Sequence, residues 1–132
     1  MWGAFTGDGR CHAIAEPFRS EGGGDSSWVA VGHWPERRIH GQLHVRLPRA
    51  KRPGSAVLLR IDGRSFQLRG GGRDAWAPDA RADDEILAAM RAGLEMVVES
   101  RAEGGELIRD QYRLRGAATA IDAAALACRP RA

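Results

Sequence analysis

The chain has two cysteines, Cys11 near one end of its 132 residues and Cys128 near the other. A single disulfide between them would tie almost the whole chain into a ring and place the protein outside a reducing cytosol. The rival is a cytosolic protein with two free thiols. Met1-Trp2-Gly3 is neither a charged n-region nor the start of an apolar h-region, so no signal peptide is visible. The exported reading therefore expects a mature chain whose leader has been replaced by a start methionine.

A chain of this length, 43% hydrophobic and 28% charged, forms one domain, residues 1–132, with one core. No run approaches the roughly 20 apolar residues of a membrane-spanning helix. The net charge of +3 is nearly all arginine, Lys51 being the only lysine. Arginines scattered from Arg10 to Arg131 without a stacking motif do not call for a nucleic-acid partner.

Alternation dominates the first two thirds. Ser27 to His33 carries Trp28, Val29 and Val31; Ile39 to Leu47 puts Ile39, Gly41, Leu43, Val45 and Leu47 on one face and His40, Gln42, His44 and Arg46 on the other. Pro35 separates these runs, and Pro48 and Pro53 bracket the basic loop Arg49-Ala50-Lys51-Arg52. Asp62-Gly63 is a favoured two-residue hairpin turn. It opposes Ile61 to Arg64, Leu59 to Phe66 and Val57 to Leu68, so turn chemistry and apolar pattern agree. Gly70-Gly71-Gly72 reads as a flexible loop; it lacks the Lys-Ser/Thr of a phosphate loop.

From Asp83 the period changes. Asp83, Asp84 and Glu85 start a helix over about 83–92, with Ile86, Leu87 and Met90 as its stripe and Gly93 as its C′ residue. Leu94 to Ser100 and Glu106 to Arg115 are two more strands around Glu103-Gly104-Gly105, and in the second Ile108, Asp110, Tyr112 and Leu114 share a face. Asp110 is thereby a buried carboxylate, held by backbone amides or an arginine, with no nucleophile or second acid tied to it by spacing. A second helix covers about 117–128, with Ala118, Ile121, Ala125 and Cys128 as its inward stripe. It would lie on the small-residue strand face of Cys11, Ala13 and Ala15, close enough for the two thiols to bond. The whole is mainly β: an antiparallel β-sandwich or curled sheet with two short helices.

Several segments together carry a family resemblance: Trp2, Cys11-His12-Ala13 running into Glu16-Pro17, Ile61-Asp62-Gly63 with Phe66 and Leu68, Ala75-Trp76, Ala89-Met90-Arg91-Ala92-Gly93, Met96-Val97-Val98, and Asp110-Gln111-Tyr112-Arg113-Leu114-Arg115-Gly116, followed by Ala120-Ile121 and Cys128. In order and spacing they resemble the invasion-associated locus B family of bacterial exported proteins. The resemblance implies a periplasmic or secreted β-sandwich-like domain with envelope or host-interaction roles and no catalytic residues to carry over. Ala117 and Ala118 depart from it, since an aromatic is common there in the family.

The remaining candidates for chemistry are thin. His40 and His44 lie about 13 Å apart along one strand face, too far to share a metal without a third element, and two cysteines without a CxxC pair do not make a cluster. His12 and His33 cannot be set beside them. No strained GxSxG turn is present. Trp28 and Trp34 have the parity to share a sheet face across Ala30 and Gly32, read as core or sheet packing ahead of a sugar-binding platform. No catalytic, cofactor or metal residues are assigned, and no cofactor is expected. The sequence reads as a non-enzymatic extracytoplasmic binding or accessory protein of the bacterial envelope, with an envelope or host protein as partner and a homodimer left open. The alternatives are a small anion-binding module for lipid, polysaccharide or nucleic acid using surface arginines such as Arg49 and Arg52, and a small hydrolase using Asp110 or a histidine.

Overall fold

Ten strands join edge to edge in one antiparallel sheet in the computed structural model, which describes residues 1–129. They are β1 (Trp2–Gly7), β2 (Arg10–Ala15), β3 (Arg19–Glu21), β4 (Trp28–Trp34), β5 (Ile39–Arg46), β6 (Val57–Ile61), β7 (Arg64–Gly71), β8 (Asp74–Trp76), β9 (Glu95–Arg101) and β10 (Leu107–Arg113). Helix α1 (Ala80–Ala92) follows β8, and α2 (Ala117–Ala127) follows β10. Across the sheet the order is β1-β2-β4-β5-β8-β7-β6-β9-β10-β3.

The sheet is a curled one, not two packed sheets, and its two ends approach one another. The Trp2 indole of edge strand β1 donates a 2.8 Å hydrogen bond to the Arg113 carbonyl at the end of β10. Period-two alternation decides what lies inside the curl. Val29 and Val31 of β4, Leu43 and Val45 of β5, Leu59 of β6, and Met96 and Val98 of β9 point inward and are buried together with Ile86 and Met90 of α1.

The Asp62-Gly63 hairpin has the register its turn demands, with Ile61 opposite Arg64, Leu59 opposite Phe66 and Val57 opposite Leu68. Both turn residues have positive φ, 44° and 90°, as a type I′ turn requires. The Asp62 carboxylate does more than turn the chain: it accepts the Leu94 N–H at 2.7 Å and so ties the hairpin to the start of β9.

Three expectations change. Gly70 and Gly71 are not loop residues; β7 runs to Gly71 and turns back into β8, with Gly70 opposite Ala75. A side chain on Gly70 would run into the Asp74 carbonyl, so glycine here admits a neighbouring strand. Helix α1 starts at Ala80, three residues before the acidic run, because the Asp79 side chain accepts the Ala82 N–H at 2.8 Å and caps it. Gly93 ends that helix in an extended conformation, not the left-handed one of a C′ glycine.

Helix α2 covers β1 and β2 as their small residues allow. Its buried stripe is Ala117, Ala120, Ile121 and Ala124; Ala118 and Ala125, expected inward, are only half-buried. An alanine-rich helix offers little contrast between faces, so docking and not pattern chose the stripe. Cys128 caps the helix four residues beyond Ala124 and is bonded to Cys11, with Cα atoms 5.8 Å apart.

Candidate functional site

On β4, inward Val29 and Val31 leave Trp28, Ala30, Gly32 and Trp34 on the convex face of the sheet. Ala30 forms a low floor between the two indoles, and Gly32 lies buried beneath one of them. The Trp34 ring folds back over Gly32, where a Cβ would meet it at 2.5 Å, so glycine makes room for the indole to lie on the sheet. Cross-strand pairing supplies the walls. Ile14 and His44 flank Ala30 on either side, and His12 stands opposite Gly32. With Arg10 at one end these groups line a cleft of about 290 Å³. A second cleft, lined by Phe5 and Glu16 among others, shares Ile14 and Trp28 with it and extends the surface toward β1.

The aromatic groups are held in place by one another. His44 stacks on Trp76 of β8 with ring centres 4.9 Å apart and planes 18° apart, and meets Trp28 edge-on at 4.7 Å. Asp74 fixes the imidazole from below: His44 Nε2 lies 2.9 Å from one carboxylate oxygen, and Arg46 donates to the other at 2.7 Å. Burial pushes the Asp74 carboxyl up, but the His44 and Arg46 hydrogen bonds outweigh it and hold the group below the usual carboxylate range. At the other side His12 stacks on Phe5 at 5.6 Å. Burial, and then the charge of Arg10, lower the His12 pKa, which favours the neutral ring.

The convex face of the other half of the sheet has a different character. There Glu99 sits between Arg60 and Arg109, 3.6 Å from each, on a charged surface of the ordinary kind. The tryptophans of the convex face, Trp28, Trp34 and Trp76, lie on the β4-β5-β8 side, whereas Phe18 lies apart under Arg113 of β10.

Asp110 lies inside the curl, 2% exposed, as its parity required. Its partner is neither a backbone amide nor an arginine: the Ser20 hydroxyl of β3 donates to it. Burial raises the Asp110 pKa, and the Ser20 and Ser27 hydroxyls pull it partly back. Tyr112 beside it is fully buried, and burial and then Asp110 push its phenol up. A substrate atom reaches neither group without opening the shell.

The histidines are dispersed. His40 is exposed, His44 is in the aromatic stack, and buried His33 accepts the Gly41 N–H on Nδ1 at 3.0 Å. No group of three or more metal-binding side chains gathers among the described residues. In the basic loop Arg49 lies 3.4 Å from the Gly22 carbonyl and 3.9 Å from Glu106, and Arg73, which lines the same cleft, lies 3.7 Å from Asp25.

Trp28 and Trp34 share a face, but the convex one and not the core. Val29 and Val31 had already claimed the inward parity of β4, and that signal was in the sequence. Trp76 and Asp74 carried no such signal, because the short β8 pairs with β5 only through the tertiary fold.

Fold and site together define a disulfide-closed, curled antiparallel sheet with an aromatic outer face. Compared with protein-family models, curated proteins and solved structures, the chain has no match. No helix among the described residues is long and apolar enough to cross a membrane.

Proposed function

We propose that this is a non-enzymatic binding or accessory protein of the bacterial envelope, periplasmic or secreted, as its resemblance to the invasion-associated locus B family implies. One observation carries the reading: Trp28, Trp34, His44 and Trp76 come together on the convex surface of one half of the sheet. An aromatic face left in contact with solvent on a small protein marks a binding surface. The ionisable groups that could do chemistry, Asp110 and Tyr112, are sealed inside. The Cys11–Cys128 bond supports the oxidising compartment.

The test has two parts. Alkylation of the protein in fractionated cells should find both cysteines oxidised and the protein outside the cytosol; free thiols in a cytosolic fraction would overturn the localisation. Capture experiments from the envelope fraction should then recover a component that Trp28→Ala and Trp34→Ala both lose. A component held equally by those variants would remove the aromatic face from the function.

A further inference from the structure

Building on that binding reading, we infer that the Trp28–Trp34 cleft is a site for an acidic oligosaccharide, with sugar rings lying on the two indoles and a uronate carboxylate on Arg10. The shape comes first. Trp28 and Trp34 stand six positions apart on β4, about 20 Å of strand, and the Trp34 ring reaches back over Gly32 to narrow the gap. Between them the small Ala30 leaves a low floor beside the Trp34 ring. Such a trough accepts a flat, extended ligand. The C–H face of a pyranose ring is slightly positive and packs on the negative face of an indole.

The polar groups fit the same ligand. His12 and His44 stand on opposite sides of the floor and offer ring nitrogens to hydroxyls. Asp74 holds His44 and takes the charge of Arg46, so that arginine is already paired. Arg10 lines the cleft and has no carboxylate partner among the described residues. One unpaired guanidinium at the end of an aromatic trough complements a ligand with a carboxylate at that position. A single-stranded nucleic acid stacks on similar platforms but needs cations along its whole backbone. This cleft has one.

The test titrates hexagalacturonate into the intact, disulfide-bonded protein, with cellohexaose as the neutral saccharide and a twelve-residue oligothymidylate as the nucleic acid, read by calorimetry and tryptophan emission. Trp34→Ala and Arg10→Gln are the variants, each checked for an unchanged melting temperature. Hexagalacturonate should bind, Trp34→Ala should weaken it by about tenfold or more, and Arg10→Gln should abolish the preference over cellohexaose. Failure of both saccharides to bind, equal affinity for the neutral one, indifference to Trp34→Ala, or tighter binding of oligothymidylate would each overturn the inference. If saccharides fail while an envelope component is still lost by Trp34→Ala, only the ligand class falls. If that component is also missing, the binding reading falls with it.

Discussion

Cys11 on β2 and Cys128 at the end of α2 are bonded across 117 residues of sequence, which makes the disulfide the clamp that holds the last helix on the first strands. Closing a loop of roughly 100 residues removes about 4.7 kcal/mol of chain entropy from the unfolded state on the simplest model. The helix it pins brings mostly alanine to the interface, with Ile121 the one large buried side chain, so packing alone holds it weakly. The double variant Cys11→Ser, Cys128→Ser is therefore expected to melt roughly 10–20 °C lower. Thermal unfolding of the oxidised protein, the reduced protein and the variant checks this; reduced protein and variant should agree.

His33 provides a second, pH-dependent tie. The β4–β5 register shifts between Gly32 and His33, so His33 pairs with His40 and Gly41 takes a φ of 77°. The bulge leaves the Gly41 N–H to the His33 ring at 3.0 Å, and two residues on, past the end of the β5–β8 pairing, the Asp83 carboxylate of α1 accepts the Leu43 N–H at 2.9 Å. An accepting Nδ1 requires neutral imidazole. Burial, then the charges of His40 and Arg91, lower the His33 pKa below 6.5. The unfolded state thus binds more protons just below pH 6.5, and stability present above that value is lost as pH falls toward the folded pKa. Denaturant unfolding should show this decline between pH 7.5 and 5.5, and His33→Gln, which keeps an acceptor but does not titrate, should reduce it to the part that His12, whose pKa is also lowered, contributes.

Local chemistry made the strands and the hairpin legible. The Asp62-Gly63 turn and its flanking alternation predict each pair of the β6–β7 ladder, because turn and pattern are set by adjacent residues. The parity of Asp110 was likewise readable, but its partner was not: Ser20 lies 90 residues away on a three-residue strand with no alternation to announce it. The start of α1 depended on the Asp79 cap and not on the acidic run, and the stripe of α2 was set by docking. The aromatic site was half visible, since parity placed two tryptophans on one face while Trp76 and Asp74 reach it only through sheet order.

Asp110 is expected to be a structural acid whose charge is a burden. Its raised pKa means that the folded state holds the proton more tightly, so its contribution to stability falls as pH rises from about 3.8 through the folded value. Asp110→Asn keeps a partner for the Ser20 hydroxyl and removes the buried charge. It should leave stability at pH 7 unchanged or higher, with the advantage shrinking as pH falls. Asp110→Ala strands the hydroxyl instead and should cost about 1–3 kcal/mol. Urea unfolding of both variants across pH decides it; a large loss in Asp110→Asn would mean the carboxylate charge itself is used.

Gly32 offers a way to disturb the aromatic face without touching the core. Its position points outward beneath the Trp34 ring, and a methyl group there would sit 2.5 Å from two ring carbons. The backbone at Gly32 has no positive φ, so alanine is accommodated by the chain and the indole must move. A ring lifted off the sheet is more exposed to water and no longer closes its end of the trough. Gly32→Ala should therefore shift tryptophan emission to the red and increase quenching by acrylamide. Because no core contact is lost, its cost in unfolding free energy should stay within about 1 kcal/mol. A large destabilisation with unchanged emission would mean that the indole is fixed and the strand yields in its place.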